Sequence, residues 1–395
     1  MKKGLLVAFV FVVLCLGSSL AWAQQVSVSQ IQQAIQAQGA KWEAGETSMT
    51  RLAPDQQKMR LGLLPSPNRG QGNVFTATTP VYSLPPTLDW RNNGGSYVSS
   101  IKNQGSCGSC WAFGTTAALE SYTMIKNNQP NTNLDLSEQV TLSCSGAGNC
   151  EMGGYIDGAS NFFISTGLPV DSCYVYTGMD GSCTSACPNW KASAYKLTSW
   201  SWVTGGVAGV KAALVDHGPV VVTMAVYNDF FSYKSGVYKY VSGGLAGYHA
   251  ILAVGYDDTN QCFIVKNSWG TSWGESGFFR IAYSEVTGTS QFASEAIAYV
   301  GGTPPPPPPT CDYTSTKLFG SAGGTGAIAV TPADGCSWTA TSNASWLTIT
   351  SGGSGTGSGV VQYTVTPTST ARSGAITVQG KTYTISQTNT SLPRR

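Results

Sequence analysis

Six consecutive prolines, Pro304–Pro309, stand late in this chain of 395 residues. Proline fixes its backbone φ angle and carries no N–H group, so neither a helix nor the interior of a sheet can run through such a stretch. A run of prolines instead forms a stiff polyproline II spacer. We therefore expect the chain to fold as separate units, with residues 302–310 as the linker between them.

The N-terminus is typical of a secretory signal peptide. Two lysines precede an apolar run from Leu5 to Leu16, which is too short to span a bilayer comfortably, and Ala21-Trp22-Ala23 fits a cleavage site. We expect residues 1–23 to be removed near Ala23 and the protein to be secreted, into the extracellular space or the periplasm. A membrane anchor is the less favoured alternative, and no later stretch is apolar enough for a membrane span.

The charge of the chain argues against nucleic acid as a partner, and its cysteine content indicates the compartment in which it folds. The chain has 22 Lys and Arg against 20 Asp and Glu, so it lacks the basic excess that neutralises nucleic-acid phosphates. Eleven cysteines are present, and one of them, Cys15, lies inside the predicted leader. The other ten indicate an oxidising compartment in which most cysteines pair.

Residues 24–83 are rich in Gln and Ala and contain no cysteine. Apolar residues at helical spacing predict one amphipathic helix between Val28 and Trp42, and the prolines and glycines that follow break regular structure. Because this zone is too small for a robust core of its own and precedes a cysteine-rich region, we interpret it as a pro-segment.

Residues 84–301 hold most of the cysteines, and the spacing of their apolar residues changes halfway from a helical to a strand pattern. The first half predicts helices over Cys110–Lys126, from Ser137 and over Asp157–Ser165. The second half predicts strands at 220–222, 236–238, 250–255, 263–267 and 278–282. Helices followed by strands indicate the α+β fold class.

Residues 311–388 are rich in Thr, Ser, Gly and Val and show short alternating runs. Three of these runs predict strands, at 362–365, 375–378 and 382–385, and Gly380-Lys381 supplies a hairpin turn between the last two. The pattern predicts a small all-β sandwich with a disulfide between Cys311 and Cys336, followed by a tail at 389–395.

The chemistry of the chain centres on Cys107-Gly108-Ser109-Cys110-Trp111. A CxxC pair can be a redox dithiol, but no thioredoxin-like βαβ pattern surrounds this one. It can be half of a zinc site, but no second close pair accompanies it. Both cysteines could also be halves of structural disulfides, so the spacing alone leaves several interpretations open.

Three further features point to a reactive cysteine. Cys110 opens a predicted helix, and the dipole at a helix N-terminus stabilises a thiolate. The chain has two histidines. His217 precedes Gly-Pro and would either cap a helix end or face solvent, whereas His249 stands at the mouth of an apolar strand. Asn267 follows another strand, with Trp269 close behind it. A histidine that merely packs in the core is the alternative interpretation of His249.

In these motifs the chain resembles papain-like cysteine proteases over about residues 84–300. The cysteine motif has that family's form, with His249 and Asn267 downstream in the family's order. Further matching stretches are Leu88–Arg91, Leu136–Gln139, Gly153–Tyr155, Gly218–Val220 and Asn267–Gly270. The resemblance implies a protease of two subdomains, a helical left half and a β-barrel-like right half.

The resemblance also implies roles for individual residues. Cys110 would be the nucleophile, and His249 would accept and return its proton. Asn267 would orient the imidazole under the cover of Trp269, and Gln104 would form the oxyanion hole with the Cys110 backbone N–H. The implied reaction is peptide hydrolysis through a thioester acyl-enzyme, for which no metal or other cofactor is needed.

The same resemblance implies a disulfide framework. Cys107 would pair with Cys150, and Cys144 with Cys183, which leaves Cys173 and Cys187 for an added loop staple. Cys262 would then remain a buried free thiol.

The substrate cleft can be read in part from the resemblance. Gly153 and Gly154 would pair with an extended peptide, and the pocket would be lined by Tyr155, Ile156, Gly247, Tyr248 and Trp269. Because no charged residue is evident there, we expect an apolar side chain at P2. One residue more than usual separates Cys150 from Gly153, which leaves the loop register and the role of Ile156 open. No histidine-bearing insertion blocks the cleft, which favours an endopeptidase over a dipeptidase.

The remaining expectations concern partners. The pro-segment would inhibit the enzyme by covering the cleft until it is cut near Leu84, and the enzyme would act on protein or peptide substrates as a monomer.

Residues 311–388 resemble BACON-type modules through Cys336-Ser337-Trp338, Ser345–Ile349 and Arg372-Ser373-Gly374. That resemblance implies a spacer or a glycan-binding unit, although core packing is the favoured interpretation of Trp338 and Trp346. The rival function is an inactive protease-fold protein for adhesion or glycan binding.

Overall fold

Two hydrophobic cores are present, one on each side of the proline run. The computed structural model describes residues 26–80, 83–301, 317–330, 337–378 and 381–390. One core is built from residues between Ile31 and Tyr299, and the other from residues between Phe319 and Ile385. The predicted signal peptide, the proline linker and the predicted Cys311–Cys336 disulfide lie outside the described residues.

Among the residues that the structure describes, the α-helices all belong to the first unit. They are α1 Val28–Gln38, α2 Pro54–Lys58, α3 Cys110–Lys126, α4 Glu138–Cys144, α5 Ile156–Ser165 and α6 Gly206–His217. A capping box begins α1, because the Ser27 hydroxyl accepts the Gln30 N–H and the Gln30 side chain accepts the Ser27 N–H. Gly39 ends α1 in the left-handed region with φ 61°. The observed helix is therefore shorter than the sequence predicted, and Trp42 lies outside it.

Most strands of the first unit form one large sheet of nine strands. The strands of this unit are β1 Trp42–Ala44, β2 Thr87–Asp89, β3 Gly148–Asn149, β4 Gly153–Gly154, β5 Ser199–Trp202, β6 Val220–Tyr227, β7 Tyr233–Tyr238, β8 Leu245–Asp257, β9 Cys262–Lys266, β10 Phe278–Ala282 and β11 Ala296–Val300. The sheet runs in the order β1-β7-β10-β9-β8-β6-β11-β5, with β2 paired to β8, while β3 and β4 pair separately. The helical first half and the sheet of the second half confirm the α+β fold class.

The helix α3 packs directly on β8 and so joins the two halves. Every residue of α3 from Cys110 to Ile125 is buried, which explains why its apolar residues surround the whole helix. Gly114 permits the close approach, because a Cβ there would lie 3.3 Å from the Ile251 nitrogen and 3.5 Å from the Ala250 oxygen. This contact brings the start of α3 next to His249 on β8.

The C-terminal unit contains only strands among its described residues. They are β12 Lys317–Phe319, β13 Gly324–Val330, β14 Ser337–Ser342, β15 Leu347–Ser351, β16 Ser354–Thr356, β17 Gly359–Val365, β18 Arg372–Val378 and β19 Lys381–Gln387. They form a five-stranded sheet, β12-β19-β18-β14-β16, and a three-stranded sheet, β13-β17-β15. Trp338 is 4% exposed in the core between the strands, and the guanidinium of Arg372 lies 4.4 Å above the ring of Trp346.

Candidate active site

Cys110 is the first residue of α3, and its thiol is buried against β8. The backbone N–H of Ala250 lies 3.5 Å from Cys110 Sγ. The N–H groups of Gly62 and of Trp111 are also directed at the sulfur. Burial raises the pKa of the Cys110 thiol to about 11, and these N–H groups oppose the rise.

His249 lies on β8 beside Ala250, so the strand that contacts the thiol also carries the imidazole. His249 Nε2 is 2.8 Å from Asn267 Oδ1, and the Ser268 N–H donates to the same oxygen at 2.8 Å. Because a carbonyl oxygen only accepts hydrogen bonds, Nε2 carries the ring hydrogen of the neutral imidazole. Nδ1 is buried and has no partner among the described residues, so it is the free nitrogen of the ring.

An aromatic cluster covers the His249–Asn267 hydrogen bond. The ring centroid of Trp269 is 4.8 Å from that of His249, and Trp269 itself packs against Phe230, Phe231 and Trp273. Burial lowers the pKa of His249 to about 4, and the hydrogen bond with Asn267 opposes the shift. The cover therefore excludes water and keeps the imidazole neutral while the cleft is closed.

Gln104 is fully buried and anchored to the loop that carries Asn267. Its backbone N–H donates to Ser268 O at 2.9 Å, and its Oε1 accepts the Ser268 hydroxyl at 2.7 Å. These bonds turn the amide so that Nε2 donates to Cys107 O at 2.9 Å and to Arg60 O at 3.2 Å. The Gln104 amide is thus a fixed donor that already meets a peptide carbonyl.

The Arg60 carbonyl belongs to residues 60–64, a short stretch of the predicted pro-segment. The Gly154 N–H donates to Gly62 O at 2.8 Å, and the Leu64 N–H donates to Gly154 O at 3.0 Å. The Leu63 N–H donates to Tyr248 O at 3.3 Å on the opposite side. An extended stretch of this chain therefore covers Cys110 and pairs with Gly154 and Tyr248, which the sequence predicted to bind substrate.

Residues 84–300 match the model of the family described as papain family cysteine protease. The chain belongs to the papain family of cysteine proteases. The thiol, imidazole and two amides described above lie together in this papain-family domain.

Individual relatives agree with the family assignment. A cathepsin L-like proteinase of Fasciola hepatica is 38% identical over 206 residues, covering 51% of this chain and 61% of the relative. Zingipain-2 of Zingiber officinale is 38% identical over 201 residues, covering 50% of this chain and 87% of the relative. The match therefore spans less than two thirds of the Fasciola protein but most of the Zingiber protein.

Solved structures of proforms resemble the chain beyond the papain-family domain. A digestive procathepsin L2 proteinase of Tenebrio molitor is 28% identical with a TM-score of 0.58, covering 69% of this chain and 89% of that one. A procathepsin B of Trypanosoma congolense shares the fold at 23% identity and a TM-score of 0.61, covering 71% of this chain and all of that one. The Tenebrio protein is a precursor form, and the Trypanosoma protein shows the shared fold.

The cysteines of the papain-family domain do not form a redox pair. Disulfides join Cys107 to Cys150, Cys144 to Cys183 and Cys173 to Cys187. Cys110 and Cys262 are free and buried. Cys107 therefore ties the loop before the candidate nucleophile to the loop that carries Gly153, and Cys110 keeps its thiol.

The other residues predicted to bind substrate differ in their exposure and in their contacts with the pro-segment. Gly153 has φ 84°, and a Cβ there would lie 2.1 Å from Gly62 O, so only glycine lets the pro-segment pass so closely. Tyr155 is partly exposed, whereas Ile156 begins α5 with no exposed surface. Trp269 is 1% exposed and contacts His249 while the pro-segment is in place.

A buried carboxylate near the cleft was missed by the sequence interpretation. Glu295 is 5% exposed, and its Oε1 accepts the Ser66 N–H at 3.0 Å, just beyond the stretch that covers Cys110. Its Oε2 is buried and without a partner among the described residues. Burial raises the pKa of Glu295. Nothing in the local sequence marks this residue, because only the fold brings the start of β11 to the pro-segment.

Proposed function

We propose that this chain is a cysteine endopeptidase made as a zymogen, with Cys110 as nucleophile and His249 as base and acid. The observation that carries the proposal is a buried thiol whose neighbouring strand holds an imidazole with Nδ1 unpaired. Asn267 supports it by engaging the other ring nitrogen. Buried polar atoms are normally paired, so an unpaired Nδ1 on a strand that contacts a buried thiol marks a group available for chemistry. The Nδ1 of His217 is also buried and unpaired, so it is the neighbouring thiol and Asn267 that single out His249.

Peptide hydrolysis would proceed through a thioester. The Cys110 proton passes to His249, the sulfur attacks the substrate carbonyl carbon, and the Gln104 amide and the Cys110 N–H stabilise the negative oxygen. The C–N bond then breaks, and His249 returns its proton to the leaving amine. A water molecule, deprotonated by His249, hydrolyses the thioester and restores the thiol.

Removal of the thiol tests this proposal. Cys110→Ala and His249→Ala should each lower kcat on a fluorogenic peptide by about 10⁴-fold or more, because the nucleophile and its base act as a unit. Cys262→Ala is the matched control, since it removes the other free buried thiol and should leave kcat within about twofold. The inhibitor E-64 should label Cys110 of the cleaved protein, and a wild-type protein that is neither active nor labelled would favour the rival adhesion or glycan-binding function.

We also propose that residues 24–83 inhibit the enzyme and are removed by a cut near Leu84. The contacts of residues 60–64 with Cys110, Gln104 and Gly154 support the inhibition. N-terminal sequencing tests the processing: wild type should begin near Leu84 after activation, and Cys110→Ala should keep the longer N-terminus. Identical N-termini in the two proteins would mean that another protease makes the cut.

The proposed specificity is for an apolar side chain at P2. The residues expected to line that pocket, Tyr155, Ile156 and Tyr248, carry no charge and support the proposal. Two buried carboxylates that contact the pro-segment, Glu295 and Asp157, would instead favour a basic side chain. Peptide substrates with Leu, Phe or Arg at P2 separate the two, and a strong preference for Arg that Glu295→Gln abolishes would refute the apolar preference.

Secretion and the function of the C-terminal unit belong to the same proposal. We propose export after cleavage near Ala23 and a C-terminal module of the BACON type. None of the described helices has the length and apolar character needed to cross a membrane. Trp338 lies in the core and Trp346 lies under Arg372, so these two rings lend no support to a glycan ligand.

A further inference from the structure

The hydroxyl of Tyr176 lies behind the candidate active site and contacts it at two points. It donates a hydrogen bond to the backbone oxygen of Gln104 at 2.8 Å. It also lies 2.7 Å from the Ser109 hydroxyl. Because a phenol has one hydrogen and that hydrogen is given to Gln104, the Ser109 hydroxyl must be the donor in the second bond. One side chain thus links the expected oxyanion donor to the residue before Cys110.

The ring of Tyr176 is held in place independently of these bonds. It packs edge-to-face on Phe113 of α3, with ring centroids 4.8 Å apart and an interplanar angle of 88°. Burial raises the pKa of Tyr176 to about 12, so the hydroxyl keeps its proton at neutral pH. Tyr176 is therefore attached to α3, the helix that carries the thiol.

Gln104, by contrast, is attached to the opposite half of the site. Its N–H and its Oε1 both bond to Ser268, which follows the sheet strand β9. The bond from Tyr176 ties the same residue to α3. The distance between the Gln104 amide and the Cys110 N–H, the two donors expected to face the substrate oxygen, depends on both attachments.

We propose that Tyr176 is a positioning residue for the oxyanion hole, a role that rests on the proposed functions of Cys110 and Gln104. Its hydroxyl fixes the Gln104 backbone relative to the start of α3, so that both donors meet the oxygen of the tetrahedral intermediate. Oxyanion stabilisation requires donors placed within a few tenths of an ångström, about 2.7–3.1 Å from that oxygen. The phenol itself does not contact the reacting atoms.

Tyr176→Phe is the direct test, because it removes the hydroxyl and keeps the ring on Phe113. We expect kcat for a peptide amide to fall about tenfold with KM unchanged, less than the roughly 100-fold loss expected for removing the donor itself in Gln104→Ala. Alkylation of Cys110 by iodoacetamide should keep its wild-type rate. In that reaction the sulfur displaces iodide directly, and no oxyanion forms.

Tyr174→Phe is the matched control. It removes a hydroxyl from the same loop that has no hydrogen-bond partner among the described residues, and its kcat should stay within about twofold of wild type. All variants are made as the full chain and assayed after cleavage, with active sites counted by E-64.

A double-mutant cycle separates positioning from general damage. If Tyr176 acts through Gln104, Tyr176→Phe should lower kcat no further in a Gln104→Ala background. The proposal is overturned by an unchanged kcat in Tyr176→Phe, by a parallel loss of alkylation, or by additive losses in the cycle. An inactive wild type would instead refute the proposed function, so the two failures are distinguishable.

Discussion

Cys110 and His249 are both kept in their neutral forms by burial. Burial raises the pKa of the Cys110 thiol to about 11 and lowers that of His249 to about 4, so between these values neither group is charged. A thiolate beside an imidazolium needs polar surroundings, because burial disfavours charge. In the uncleaved chain the site is therefore neutral as well as covered, which supports the proposal that this form is inactive.

This charge state predicts how Cys110 reacts before and after cleavage. Alkylation requires the thiolate, so in the uncleaved chain its rate should rise about tenfold per pH unit up to about pH 11. In the cleaved enzyme Cys110 should react at pH 7 at least about 100-fold faster, because water and His249 then stabilise the charged pair. Mass spectrometry of iodoacetamide-treated protein gives both rates, with buried Cys262 as the internal reference that cleavage should not change. Equal reactivity of Cys110 in the two forms would contradict the prediction.

At the scale of elements, the helices and strands that could be predicted from the sequence are those that are buried along their whole length. The helix α3 could be predicted because it is apolar on every side, and the central strands because they are continuous apolar runs. The helix α6 was missed as an element because its Gly- and Val-rich sequence has weak helical preference and is stabilised by packing on the sheet. Glu295 and Tyr176 were missed because their partners lie far away in sequence, in the pro-segment and around Gln104.

The pro-segment stretch at the cleft depends on one glycine. A Cβ on Gly62 would lie 1.8 Å from Gly108 O, backbone that the Cys107–Cys150 disulfide holds in place. We therefore expect Gly62→Ala to displace residues 60–64 at a cost of about 1–3 kcal/mol, which corresponds to an opening about 5–150 times more frequent. E-64 labelling of the uncleaved chain should accelerate by that factor.

Gly45→Ala is the control for this substitution within the same pro-segment. A Cβ there meets only the flexible side chain of Lys234, at 3.0 Å, so labelling should remain close to the wild-type rate. If Gly62→Ala labels as slowly as Gly45→Ala, the close approach to Gly108 does not hold the cleft shut.

At the scale of the molecule, the pro-segment is folded into the protease rather than beside it. β1 pairs with β7 at one edge of the sheet, and Val74 pairs with Trp202 of β5 at the other. Ile31, Trp42 and Leu63 join the protease core. This explains how a zone too small for its own core is ordered, and why its position could not be predicted from its sequence alone.

The two hydrophobic cores predict two independent unfolding transitions in the full chain. No residue belongs to both clusters, and the proline run separates the two units in sequence, so each unit should unfold cooperatively by itself. Calorimetry of the cleaved protein that retains both units should therefore resolve two peaks. Covalent E-64 occupies the folded protease unit alone and should raise only the peak of that unit. Cys110→Ala, which keeps its pro-segment, should show no shift on addition of E-64 relative to its own untreated sample, and an E-64 shift of both peaks in the wild type would show that the two units unfold as one.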